Sequence, residues 1–187
     1  MIYEPQEDSL LLKKWVEKYA FGDALDMGAG SGILSLAALD NCDSVLAVDI
    51  DDESLEHLRR LENTHPGLRV KRSDLFENLD NEKFDTIIFN PPYLPYEPKE
   101  DKETARMVSG GTKEHPNPYY IIERFFKQVS KHLNENGIIL MVFSSLTNKR
   151  VVDRIIQEAG FTHKLLETKK LAFEELYVYL IQRTQIG

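Results

Sequence analysis

Asn90-Pro91-Pro92-Tyr93 is the stretch whose residue types and order most constrain what chemistry this chain can do. It follows directly on the apolar run Thr86-Ile87-Ile88-Phe89. Two adjacent prolines stop a sheet ladder and hold the backbone extended. No Gly or Asn lies between Pro91 and Tyr96 to supply the positive φ of a plain turn. The stretch is therefore stiff, and it leaves a strand at its carboxyl end. There the Asn90 side-chain oxygen and the Pro91 carbonyl can each accept one N–H bond from a planar NH2, of a carboxamide or of a base amine. Holding both hydrogens directs the nitrogen lone pair at an electrophilic carbon and stabilises the positive charge that grows on nitrogen. Tyr93 offers a flat face on which a planar acceptor can stack. Asn90, Pro91, Pro92 and Tyr93 are the candidate catalytic residues. No general base is required, and the rate comes chiefly from alignment.

A second cluster points to the partner of that nitrogen. Asp26-Met27-Gly28-Ala29-Gly30-Ser31-Gly32 joins an expected strand to an expected helix. Glycines let a backbone approach a ligand closely, although a glycine-rich turn with no ligand carries the same letters. The spacing is G-x-G-x-G, not the G-x-G-x-x-G of dinucleotide binders. No Lys-Ser/Thr pair follows, which excludes a P-loop. Asp49 ends the next strand, roughly 20 residues beyond the glycines, where a carboxylate can accept from both hydroxyls of a ribose. Asp51 and Asp52 are at hand to cap the following helix. Asp74, in Arg72-Ser73-Asp74-Leu75-Phe76, can accept from an adenine amine or can be a solvated turn residue. Asp26 either orders the loop or meets an amino group. A ribose diol, an adenine amine and an ammonium without phosphate are the features of S-adenosylmethionine, and methyl transfer to nitrogen is the reaction the two clusters suit. Asp26, Gly28, Gly30, Gly32, Asp49, Asp74 and Asn90, with the adjoining Ala29, Ile50 and Leu75, form the expected donor site, and S-adenosylhomocysteine is the expected product.

The elements that must hold these residues can be read from periodicity. Asp8 to Ala20 reads as a helix, with Leu11, Leu12, Trp15, Val16 and Tyr19 at helical spacing and Asp8 or Ser9 as its cap. Expected strands are Ala24–Met27, Ser44–Val48, Leu68–Lys71, Phe84–Phe89 and Ile138–Phe143. Expected helices between them span Ile33–Leu39, Asp52–Leu61 and a stretch opened by Asn117-Pro118, reaching Leu133 and closed by Gly137. A further helix is capped by Asn148 and ended by Gly160. Phe161–Glu167 and Glu175–Ile181 read as a closing antiparallel pair. Alternating strands and helices predict an α/β fold, a mostly parallel sheet covered on both faces, with ligands at the strands' carboxyl ends. Gly28, Asp49, Asp74 and Asn90 should therefore meet along one edge. Residues 90–117, rich in Pro, Glu and Lys, form a loop of a length that is usually functional.

Composition bounds the rest. A chain of 187 residues reads as one domain, 1–187, with 1–22 as a leading segment and helix. The N-terminus is acidic and lacks the apolar core of a secretory signal, and no run approaches the roughly 20 apolar residues of a membrane span. Cys42 is the sole cysteine, so no internal disulfide is possible and a reducing cytoplasm fits. One Cys and five scattered His give no zinc site, and no metal is expected. A net charge of −8 runs against a nucleic-acid substrate, which calls for a basic surface, and is compatible with a basic protein partner.

These motifs together resemble the class I S-adenosylmethionine-dependent methyltransferases with an N-P-P-Y motif, and within them the HemK/PrmC family of N5-glutamine methyltransferases. Tyr3-Glu4-Pro5-Gln6-Glu7-Asp8-Ser9 is similar to the Y-E-P-x-E-D-[ST] opening of the compact archaeal and eukaryotic branch. Ser73-Asp74-Leu75-Phe76-Glu77 and Asn90-Pro91-Pro92-Tyr93 match two further family motifs, and Gly110-Gly111 resembles a paired glycine that follows them. The resemblance implies a Rossmann-like seven-stranded sheet of order 3-2-1-4-5-7-6 with the last strand antiparallel. It implies methylation of the glutamine amide in the Gly-Gly-Gln motif of a translation release factor. It also implies that Glu4 to Ser9 fold over the donor as a lid, which adds Glu4 and Asp8 to the cofactor set. A small zinc-binding activator subunit on the edge formed by the third strand is implied as well. Methylation of adenine or guanine in RNA or DNA, or of a protein lysine, stands as the alternative, and a non-catalytic nucleotide-binding module or an NAD-linked enzyme as another. The carboxylates of Glu97, Glu100, Asp101 and Glu103 could attract a basic substrate tip.

Overall fold

The structure is a computed structural model that describes residues 7–93 and 109–185. In chain order the elements are α1 (Glu7–Tyr19), β1 (Gly22–Met27), α2 (Ile33–Leu39), β2 (Cys42–Asp49), α3 (Asp52–Glu62), β3 (Leu68–Arg72), β4 (Phe84–Phe89), α4 (Tyr120–Gln128), a 3-10 turn (Val129–Lys131), β5 (Leu133–Ser144), α5 (Lys149–Glu158), β6 (Phe161–Lys170) and β7 (Glu175–Arg183). The strands form one sheet in the order β3-β2-β1-β4-β5-β7-β6. Strands β3, β2, β1, β4 and β5 run parallel, and β7 runs antiparallel to both its neighbours. The expected class I methyltransferase topology is the observed one.

Alternation along each strand divides the core in two. Leu25, Met27, Val48, Ile87, Phe89 and Met141 face one layer, where Ile122, Phe125 and Phe126 of α4 and Val152 and Ile156 of α5 pack. Ala24, Val45, Ala47, Ile88, Leu140 and Val142 face the other, against Leu12 and Val16 of α1, Ala37 and Ala38 of α2 and Leu58 of α3. The central strands bury both faces, so they read in sequence as continuous apolar runs rather than alternating ones.

Register brings the strand ends into one row. Met27 pairs with both Val48 and Phe89, and Val48 pairs with Lys71. Hydrogen bonding continues past these ends. The N–H groups of Gly28 and Ala29 both donate to the Val48 carbonyl at 2.9 Å, and that of Ser73 donates to the Asp49 carbonyl at 3.0 Å. Loops leaving β1, β2 and β3 are thereby fastened to one another before any ligand is considered.

Three local expectations are corrected. Gly137 does not close a helix: α4 ends at Gln128, and β5 begins at Leu133. Leu133 pairs with Phe84 while Ile138 pairs with Thr86, so Asn134-Glu135-Asn136-Gly137 is carried as a bulge. The strand starts early because the His132 carbonyl accepts from Phe84 N–H at 2.9 Å and draws the chain onto the sheet. Asn117-Pro118 does not open α4. The Asn117 side-chain oxygen accepts from Tyr119 N–H at 3.0 Å and its carbonyl from Tyr120 N–H at 3.1 Å, which makes a turn ahead of the helix. Asp8 and Ser9 are not caps of α1 but lie within its first turn, where an acidic residue also complements the helix dipole. Among the described residues no helix is long and apolar enough to cross a membrane.

Candidate active site

A cavity of about 340 Å³ lies over the row of strand ends. Gly28, Ala29 and Gly30 form its floor, and Asp49, Ile50, Asp74 and Leu75 line one side. Asn90, Pro91, Pro92 and Tyr93 line the other, beneath Asp8 and Ser9 of α1. Every expected site residue among those described therefore lines it, with two exceptions. Glu4 lies outside the described residues, as do Glu97, Glu100, Asp101 and Glu103.

The exceptions have structural roles. Asp26 is fully buried beneath the loop and accepts from the Ser35 hydroxyl of α2 at 2.5 Å. Burial pushes its carboxyl up to about 7, the Ser35 bond opposes this, and the nearby Asp49 charge adds to it. Asp26 thus ties the glycine loop to α2 from beneath and does not line the cavity. Gly32 stands at the start of α2 with φ +75°, and a Cβ there would come within 2.8 Å of the Leu61 side chain. It lets α2 approach α3.

Asp49 is the fastener of the loop. One oxygen accepts from Gly30 N–H at 2.8 Å, and the other accepts from Ile50 and Asp51 N–H at 2.7 and 2.9 Å. Burial raises its pKa and these three bonds hold it down. Asp51 caps α3 by accepting from Ser54 N–H at 2.8 Å, which leaves Asp49 to the cavity. Beside them Leu75 sits at φ +50°, a conformation rare for a non-glycine residue. Ser73 fixes it, donating to the Leu75 carbonyl at 2.6 Å. A backbone outlier at a cavity wall is the kind of strain that clusters at ligand sites.

On the opposite wall the Asn90 amide donates to Ser9 Oγ at 3.1 Å. That bond orients the side chain and leaves Asn90 Oδ1 buried without a hydrogen-bond partner among the described residues. Such an acceptor costs about 1–3 kcal/mol, and an N–H donor arriving in the cavity satisfies it. Tyr93 Oη contacts Asp8 Oδ2 at 3.4 Å, tying the stacking ring to α1. Phe89, the residue before Asn90, stacks on Phe125 with centroids 4.0 Å apart, which anchors the strand end on α4. Gly110 also braces this wall: a Cβ there would lie 2.9 Å from the Pro92 carbonyl and 2.0 Å from that of Pro118. A second cavity of about 380 Å³ shares Asp8, Tyr93 and Glu174 with the first and opens past Glu7, Leu10 and Leu171.

The donor set suits an adenosine with a cationic tail: carboxylates, backbone amides and apolar walls, with no cationic side chain among the described residues lining the cavity to take a phosphate. Ser9 was expected as a helix cap and in the segment folding over the donor, but its bond to Asn90, 81 residues away, was not signalled by the sequence. Arg124, a polar position on the amphipathic α4, donates to Asp74 Oδ1 at 3.1 Å and was not signalled either. Among the described residues no group of His, Cys, Asp and Glu is arranged to hold a metal.

Comparison with known proteins gives the family and the fold. Residues 6–172 match the methyltransferase small domain family. A Methanocaldococcus jannaschii protein, provisionally named protein N5-glutamine methyltransferase MJ0928, is 32% identical over 181 residues, covering 95% of this chain and 89% of that one. The tRNA1(Val) (adenine(37)-N6)-methyltransferase of Bacteroides fragilis is 30% identical over 145 residues, covering 72% of this chain but only 57% of its own length. Among solved structures, the E. cuniculi Mtq2-Trm112 complex, described as responsible for methylation of the eRF1 translation termination factor, superposes with a TM-score of 0.75 at 23% identity, covering 97% of this chain and 98% of that one. The chain belongs to the methyltransferase small domain family.

Proposed function

We propose that this protein methylates the side-chain amide nitrogen of a glutamine, in the Gly-Gly-Gln motif of a translation release factor, with S-adenosylmethionine as donor. The observation that carries the reading is the buried, unpartnered Asn90 Oδ1 at the end of β4, beside a cavity floored by the glycine loop. The nearly full-length archaeal relative supports glutamine as acceptor. When bound, the donor supplies an electrophilic methyl group and departs as S-adenosylhomocysteine. Asn90 Oδ1 and the Pro91 carbonyl accept the two N–H bonds of the carboxamide, so that its nitrogen faces the donor. Tyr93 stacks on the amide plane. The same two oxygens stabilise the charge on nitrogen as the new N–C bond forms, and the product nitrogen then sheds one proton to solvent. The groove past Asp8, Tyr93 and Glu174 is the path for the acceptor loop.

The edge strand β3 is unpaired on its outer side among the described residues, and an exposed edge accepts a partner strand. A small zinc-binding activator docked there is part of the proposal. A second reading, methylation of a base amine, draws on the Bacteroides relative. The acidic balance of the chain favours the protein acceptor. The deciding experiment incubates the protein, with and without an activator subunit, with isotopically labelled S-adenosylmethionine and a release factor, tRNA or DNA. Mass spectrometry is expected to find one added methyl on the Gly-Gly-Gln glutamine. Methylated nucleic acid and unmodified release factor would move the assignment to the second reading.

A further inference from the structure

Arg124 lies on α4, outside the cavity lining, yet it is the cation bound to one of the cavity's carboxylates. Its fork is divided between Asp74 Oδ1, at 3.1 Å, and Glu77 Oε1, at 3.0 Å. The Tyr120 ring stands beneath its guanidinium at 5.6 Å. Arg124 thus spans the turn after β3 and pins both its carboxylates to α4. As a source of stability such a partly exposed pair counts for little. Its geometric effect is larger. A guanidinium that bridges two carboxylates sets the rotation of each, which a point charge does not. With Oδ1 engaged by Arg124, Oδ2 is the Asp74 oxygen left to a ligand in the cavity that Asp74 lines.

We propose that Arg124 is a positioning residue for base recognition, holding Asp74 so that its free oxygen selects a 6-amino group over a 6-oxo group. The inference rests on the adenosyl donor of the preceding section. An exocyclic amine gives an N–H to the carboxylate. An oxo group in the same place sets one acceptor against another, and a buried polar group left unpaired in this way is rejected strongly. If the carboxylate were free to turn, it could rotate away from the oxo group and the selection would fade. The same contact links the base to α4, whose Ile121 lines the cavity and donates its N–H to the Gly110 carbonyl at 3.1 Å.

Titration calorimetry tests this with two ligands, S-adenosylhomocysteine and its deaminated form S-inosylhomocysteine. The proteins are the wild type, Arg124→Gln, Arg124→Lys, Asp74→Asn and the double variant Arg124→Gln/Asp74→Asn. The wild type is expected to prefer the adenine ligand by about tenfold or more. Arg124→Gln should weaken the adenine ligand severalfold and leave the inosine ligand nearly unchanged, so that the preference falls toward that of Asp74→Asn. The double variant should show no further fall, because the two residues act as one unit. Arg124→Lys keeps the charge without the fork and should be intermediate; it carries the test if the Gln variant does not fold. An unchanged preference in Arg124→Gln or Arg124→Lys, whatever the loss of absolute affinity, gives Arg124 a purely structural role and overturns the proposal. A wild type that binds S-adenosylhomocysteine with no preference over the inosine ligand overturns it alone, whereas a wild type that binds neither overturns the donor assignment itself.

Discussion

Adding one methyl group at Gly110 should disable transfer without touching the donor. The Cβ of Gly110→Ala would fall 2.0 Å from the Pro118 carbonyl oxygen and 2.9 Å from that of Pro92. Ordinary contact lies at about 3.5 Å, so one or both backbones must retreat, together by about 1 Å or more. Neither has a flexible side chain to give way. Pro118 is held by the Asn117 turn and by α4, and Pro92 by the proline before it. Overpacking of this kind costs about 1–3 kcal/mol, which for a chain of this size is a fall in Tm of about 2–4 °C per kcal/mol. The larger effect is on geometry, because a misplacement of about 1 Å at reacting groups can cost about 100-fold in rate. Steady-state assays should find kcat lowered by about that factor. Calorimetry should find S-adenosylhomocysteine affinity within about twofold of wild type, since Gly28, Gly30 and Asp49 are carried by β1 and β2. Gly111→Ala is the control. Its Cβ would meet the carbonyls of His115 and Pro116, at 2.8 and 2.7 Å, within the same loop. It should lower Tm and largely spare kcat. A Gly110→Ala protein with normal kcat and reduced Tm, or one that loses the donor, refutes the claim that this contact sets the clamp.

Other outcomes follow from the same site. Asn90→Ala should abolish transfer while donor binding stays nearly intact; loss of donor binding in calorimetry would contradict the role given to Asn90. Asp49→Ala should weaken donor binding by about 1–3 kcal/mol, the scale for losing hydrogen bonds to a charged group, and should loosen the loop, seen as faster amide exchange at Gly30. Asp26 makes stability depend on pH. Its carboxyl titrates near 7 in the folded protein and near 3.9 in the unfolded chain, so between those values the unfolded chain has lost a proton that the folded one keeps. Stability therefore falls as pH rises through that window, by on the order of a few kcal/mol, and levels off above it. Asp26→Asn lacks this penalty, so urea titrations should find the variant gaining on wild type between pH 4.5 and 7.5. Equal slopes in the two proteins would dismiss the assignment.

How much of this was legible in the letters depends on range. The parallel sheet could be read because β1, β2, β4 and β5 are buried on both faces and bounded by Gly, Asp and Asn. That these residues would line one cavity could be read because glycines and carboxylates at strand ends need only topology to bring them together. Asp26 could not be assigned, because a carboxylate at a strand end points above or below the loop according to one step of the pleat, and here it points under. Gly137 misled for a related reason: an isolated glycine serves a helix end and a bulge alike, and the pairing of Phe84 with Leu133 decides between them. The contacts of Ser9 with Asn90 and of Arg124 with Asp74 were invisible because the partners lie 81 and 50 residues apart. Only the packing of α1 and α4 against the sheet reveals them.

The contact between Gly110 and Pro92 has a consequence for how substrate range can change. Tyr93 and Ser109 adjoin Pro92 and Gly110, so the described framework on either side of positions 94–108 is held together at one contact. The sequence between them is thereby open to exchange as a cassette, with the wall of Asn90 to Tyr93 staying where it is. A laboratory seeking new acceptors for this scaffold should graft between Tyr93 and Ser109 and leave the two moorings alone.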